Sequence, residues 1–78
     1  MDADHEIDAR GLLCPLPVLR ARKRLMSMPT GSVLRVLTTD PAAIVDLPHF
    51  CSQKGHLLLS METGSDGQRF LIQRGPDA

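Results

Sequence analysis

Cys14, followed by Pro15, Leu16 and Pro17 and preceded at four residues by Arg10, is the part of this sequence best equipped for chemistry. A thiolate is a strong nucleophile, yet a free thiol with a pKa of about 8.5 is only about 3% ionised at pH 7. Cys14 stands where a helix N-cap is expected, just before Pro15. The partial positive charge of a helix N-terminus favours an anion there, and Arg10 adds a cation. Together they are expected to lower the thiol pKa. Pro15 and Pro17 carry no N–H, so only Leu16 and Val18 keep their donors in that turn. The prolines are therefore expected to support the site by fixing its geometry and exposing the sulfur. A fixed, protruding sulfur suits exchange between proteins better than turnover in a pocket.

The second cysteine reads differently. Ile44, Leu47 and Cys51 share one helical face, so Cys51 is expected to be a packed core thiol. No C-x-x-C is present, which disfavours a thioredoxin-like dithiol. His49 and Cys51 are two residues apart on a helix and point to different faces, so a metal site with His56 is disfavoured. No Ser-His-Asp, paired-carboxylate or glycine-rich phosphate motif occurs. No metal and no cofactor is expected.

Turn signals cut the chain into six elements that must position Cys14. His5–Ala9 alternates polar and apolar and predicts a strand. A loop follows, then a helix from the Cys14-Pro15 step to about Met28, stopped by Pro29-Thr30-Gly31. Val33–Thr38 is β-branched and predicts a second strand. Asp40-Pro41 reads as N-cap and first residue of a second helix, which Pro48 should kink and Gly55 should end. In the next strand Leu57, Leu59 and Met61 share one face. Asp66-Gly67 is a hairpin signal, and Phe70 and Ile72 share a face of the last strand. The order β-α-β-α-β-β predicts an α+β fold. It is a two-layer α/β sandwich with a mixed four-stranded sheet and both helices on one face. The bare face is expected to show Arg35, Leu58, Ser60, Glu62, Leu71 and Gln73.

Seventy-eight residues make one domain, residues 1–78, with an ordered core over about 5–75. A chain of this size has no room for a deep substrate cavity. The net charge is zero but unevenly laid out: four acidic residues lie within the first nine, while residues 10–39 hold six basic residues and no acidic one. The N-terminus lacks the basic and apolar regions of a signal peptide, and no apolar run could span a membrane. The expected location is the cytoplasm, with no membrane association. Neutral charge and the absence of Trp and Tyr disfavour direct nucleic-acid binding.

The run Asp8-Ala9-Arg10-Gly11-Leu12-Leu13-Cys14-Pro15-Leu16-Pro17 with Arg22-Lys23 resembles the signature of the TusA/SirA sulfur-carrier family. The second half, with Asp40-Pro41, Asp46, Pro48, Phe50-Cys51 and Gly55-His56, is similar too. The resemblance covers about Ile7 to Gly75. It implies a sulfurtransferase component of a sulfur relay rather than a stand-alone enzyme. Cys14 would accept sulfane sulfur as a persulfide from a cysteine desulfurase or rhodanese-like donor and pass it to a downstream acceptor protein. The family's end products include thiolated tRNA, molybdenum-cofactor enzymes and sulfur-oxidation intermediates. Leu16 stands where members serving tRNA thiolation tend to carry an acidic residue.

Around Cys14, Leu12, Leu13 and Leu16 read either as core or as a docking rim. Arg20, Lys23 and Arg24 share one helical face, which is either solvated or a docking surface for an acidic donor. Arg22 falls within the apolar arc of that helix. The competing reading is a non-enzymatic regulatory or adaptor module that binds a protein through its basic helix, with Cys14 incidental or redox-sensing.

Overall fold

The computed structural model describes residues 2–76, so the extreme ends of the expected 1–78 domain lie outside it. Six elements follow the expected order: β1 (His5–Ala9), α1 (Leu16–Met26), β2 (Val33–Thr38), α2 (Ala43–Lys54), β3 (Leu57–Gly64) and β4 (Gly67–Gln73). The sheet order is β1-β2-β4-β3. β1 and β2 are parallel, and both β2–β4 and β3–β4 are antiparallel. The mixed sheet and its two helices form the expected two-layer sandwich.

Burial of one stripe per helix against one sheet face builds the core. Ala21 and Leu25 come from α1, Leu47, Phe50 and Cys51 from α2, and Leu34, Val36, Phe70 and Ile72 from the two central strands. Each large side chain fully buried here contributes roughly 1.5–3 kcal/mol. α1 tolerates prolines at its start because first-turn residues have no intrahelical N–H partner. Its far end is closed from across the fold, where Arg74 Nε donates to Leu25 O at 2.8 Å.

Two expectations need correction, the start of α2 and the faces of the β3 leucines. α2 begins at Ala43, three residues past Asp40, and its N-cap is Ala42. Asp40 organises a lead-in turn instead: its Oδ1 accepts from Ala42 N at 3.0 Å and its carbonyl from Ala43 N at 3.0 Å. Pro48 lies inside a helix that continues to Lys54, and Gly55 ends it in the left-handed region with φ 76°. In β3 a bulge between Leu58 and Ser60 shifts the register. Leu58 pairs with Ile72 and packs on the core, whereas Leu57 pairs with Gln73 on the bare face. Leu59 joins Arg35, Ser60, Glu62 and Leu71 on that face. A strict period of two fits Ser60 and Glu62 but assigns Leu57, Leu58 and Leu59 to the wrong sides, because the inserted residue puts the positions before it out of phase with those after it.

His56 is buried against Phe50, with ring centroids 5.3 Å apart, and its Nδ1 accepts from Gly75 N at 3.0 Å. Only an imidazole unprotonated at Nδ1 can accept that bond. Burial, with a contribution from Arg74, pushes its pKa below the ordinary histidine value. The unfolded chain therefore binds a proton first as pH falls. The stability His56 contributes is complete above pH about 6.5 and declines as pH falls below it toward the folded-state value. Melting temperatures measured from pH 7.5 to 5 should fall in that window. His56→Gln should flatten that part of the profile.

Candidate functional site

The site stands at the carboxyl ends of the parallel strands β1 and β2, where the loop of residues 10–15 meets the turn of residues 39–42. Two main-chain donors tie them. Gly11 N donates to Thr39 Oγ1 at 2.9 Å, and Cys14 N donates to Asp40 Oδ2 at 2.8 Å. Asp40 thus holds the Cys14 loop with one carboxylate oxygen and the entry to α2 with the other. These two bonds depress its pKa. Gly11 turns the loop with φ 83°, a conformation open to glycine at little cost.

Cys14 is exposed and free, one residue ahead of the N-cap that the sequence assigned to it. Pro15 occupies the N-cap position, follows a cis peptide bond, and supplies no side-chain cap. Leu16 N, one of two donors left in the first turn, donates to Leu13 O at 2.9 Å. Arg10 is turned away as well. Its Nε and Nη2 each bond an Asp8 carboxylate oxygen at 2.9 Å, holding the Asp8 carboxyl at about 2. What stands beside the thiol is negative. Hydrogen bonding from the thiol to Asp46 and the charges of Asp46 and Asp40, with some desolvation, raise the Cys14 pKa. The expected lowering by Arg10 and the helix terminus is therefore reversed. The guanidinium is already occupied, and the turn's free donors are too few to outweigh two carboxylates.

The rim around Cys14 is apolar on one side. Leu13 is 69% exposed and Leu16 46%, which resolves both as surface residues, while Leu12 is half-buried. Pro15 is exposed and Pro17 buried in the helix base. Further along α1, Leu16, Leu19, Arg20, Lys23 and Arg24 line one open groove with Ile7 of β1. Spacings of three and four residues place these side chains in one stripe. Arg22 is exposed.

Cys51 is 2% exposed, and burial pushes its thiol up to about 11. It lies on the apolar stripe the sequence assigned to it. Among the described residues no group of three or more His, Cys, Asp or Glu side chains is placed to hold a metal ion. No helix is long and apolar enough to cross a membrane.

Comparison with known proteins places this geometry. The model of the family described as Sulfurtransferase TusA matches residues 5–74. The chain belongs to the TusA family. It is 48% identical over 73 residues to the Sulfur carrier protein TusA of Allochromatium vinosum, covering 94% of this chain and 96% of that one. The crystal structure of a SirA-like protein from Desulfitobacterium hafniense superposes with a TM-score of 0.78 at 28% identity, covering 92% of this chain and 99% of that one. In this TusA-family chain two site residues, Asp40 and Asp46, escaped identification from the sequence. Asp40 had a usable signal. It follows the second of two parallel strands, and loops at the carboxyl ends of adjacent parallel strands are neighbours. Asp46 stands in the family pattern, but its place beside Cys14 depends on how α2 sits over the sheet.

Proposed function

We propose that this chain is a sulfur-relay carrier whose Cys14 accepts sulfane sulfur as a persulfide and delivers it to an acceptor protein, in the cytoplasm. The observation that carries this reading is a free, exposed cysteine held by main-chain bonds at the open end of a TusA-family fold. In the loading step Cys14, as thiolate, attacks the outer sulfur of the donor persulfide. A bond forms between Cys14 Sγ and that sulfur, the donor's S–S bond breaks, and its electron pair leaves with the donor thiolate. The proton lost by Cys14 balances that thiolate. Two thiol-level groups exchange one sulfur with no net oxidation, so neither metal nor organic cofactor is required.

The donor, a cysteine desulfurase or rhodanese-like protein, would meet Leu13 and Leu16 at the rim and Arg20, Lys23 and Arg24 along α1. An acidic patch beside its reactive cysteine would complement the basic stripe. The expected result is a gain of one sulfur atom by intact mass after incubation with a cysteine desulfurase and cysteine. The gain should be reversible by reductant. Arg20→Glu with Lys23→Glu should slow the gain. No gain with desulfurase or rhodanese donors would overturn the reading.

A further inference from the structure

We propose that the free edge of β1, with the groove beside it under α1, receives an extended acidic segment of a partner protein as a fifth strand. The proposal deepens the relay reading by naming the form of the docking element, and it rests on that reading only for which protein supplies the segment.

β1 and β3 are the two edges of the sheet. An edge strand turns alternate amides and carbonyls away from its neighbour, open to a further strand. The two edges differ. β3 carries the bulge between Leu58 and Ser60, a device that blunts an edge. β1 has neither bulge nor proline, and its register against β2 runs unbroken from His5 opposite Leu34 to Ala9 opposite Thr38. Glu6 pairs with Arg35 at 3.2 Å and Asp8 with Arg10 at 2.9 Å, so neither confronts an incoming strand as a bare charge.

On the helix side of this edge, Ile7 and α1 line an open groove. α1 starts at the carboxyl end of β1 and runs back along it. The exposed Leu16 and Leu19 therefore line the groove near Cys14, and Arg20, Lys23 and Arg24 line it further back. No acidic side chain lines the groove, and none of the three cations makes an ion pair among the described residues. A strand laid on β1 turns every second side chain toward α1. The matching segment has an apolar residue level with Leu16 and Leu19 and acidic residues at the next two such positions. Neutral residues stand between them, on the side of Glu6 and Asp8. In such additions main-chain bonds supply affinity and alternate side chains supply specificity. A second copy of this chain does not fit. Pairing two β1 edges across a two-fold axis sets α1 beside α1, with basic stripe against basic stripe.

The probes are two capped heptapeptides, Thr-Leu-Thr-Glu-Thr-Glu-Thr and its reverse, which suit the two strand directions. Binding is followed by nuclear magnetic resonance of the protein amides. One of the two should bind and slow hydrogen exchange at alternate β1 amides, those turned away from β2. N-methylation of the peptide amides that face β1 should abolish binding, while methylation of the other alternate set should leave it. Lys23→Glu should weaken binding about five-fold, and Lys54→Glu, the same charge change on α2 outside the groove, should not. The free protein should sediment as a monomer. Binding that survives both methylations, slowed exchange at β3 instead of β1, equal effects of the two lysine variants, or a dimer through β1 would overturn the proposal. So would no binding by either peptide. Loading of Cys14 is read separately by mass, so failure at the groove leaves the carrier reading standing, and failure to load sulfur leaves the groove standing.

Discussion

Cys14→Ser should take up no sulfur from any donor, whereas Cys51→Ala should load to the same extent as the parent. Both cysteines are free thiols, so chemistry alone does not separate them. Two physical differences do. Cys51 is 2% exposed among Leu47, Phe50 and the sheet, and a donor persulfide cannot reach it without opening the core. Its thiol, pushed up to about 11, is ionised in roughly one molecule in ten thousand at pH 7. Cys14 has full access and a smaller handicap. Cys51→Ala removes a buried sulfur and should cost about 1 kcal/mol. Loading must therefore be compared below the melting transition of both variants. Intact mass distinguishes the variants directly. Sulfur on Cys51 in the Cys14→Ser protein would refute the assignment.

Gly67→Val should both destabilise the fold and disturb the site from the opposite side of the sheet end. Gly67 opens β4 with φ 118°, in a region side chains rarely adopt. A Cβ there would lie 2.2 Å from Thr38 O and 3.1 Å from Thr39 Cγ2. The first is backbone of the central strand and cannot swing aside. Strain and overpacking together should cost roughly 2–5 kcal/mol. A 78-residue domain has about 4–12 kcal/mol in all. Thr39 and Asp40 anchor Gly11 and Cys14, so what survives folded should also show altered Cys14 alkylation. Urea unfolding with parallel alkylation checks both effects. A variant with parental stability would show that the hairpin tip can shift away from Thr38.

The order of elements was legible because each boundary carries its own local chemistry. Paired prolines start α1, glycine in the left-handed region closes α2, and Asp66-Gly67 turns the hairpin. The bulge at Leu58 was not legible. It leaves the apolar composition of β3 unchanged while moving leucines from one side to the other. At the site, the sequence identified Cys14 and the stripe of Arg20, Lys23 and Arg24 correctly as surface features. It misjudged the sign of the field on the sulfur. Arg10 is near Cys14 in sequence, but Asp8 lies on the same side of the extended chain and takes it first. The carboxylates that do face Cys14 are 26 and 32 residues away, and only tertiary packing brings them there.

The Cys14 loop is held through the amides of Gly11 and Cys14, so its anchors never involve the side chain that would carry cargo. Lengthening that side chain by one sulfur breaks none of these bonds. The loop's main-chain anchors are then the same in the loaded and the empty carrier, and those bonds carry no signal of which one a partner has met. The direction of flow must be written in the partners, in which of them holds the sulfur more tightly, while the carrier itself is a reversible vehicle in either direction.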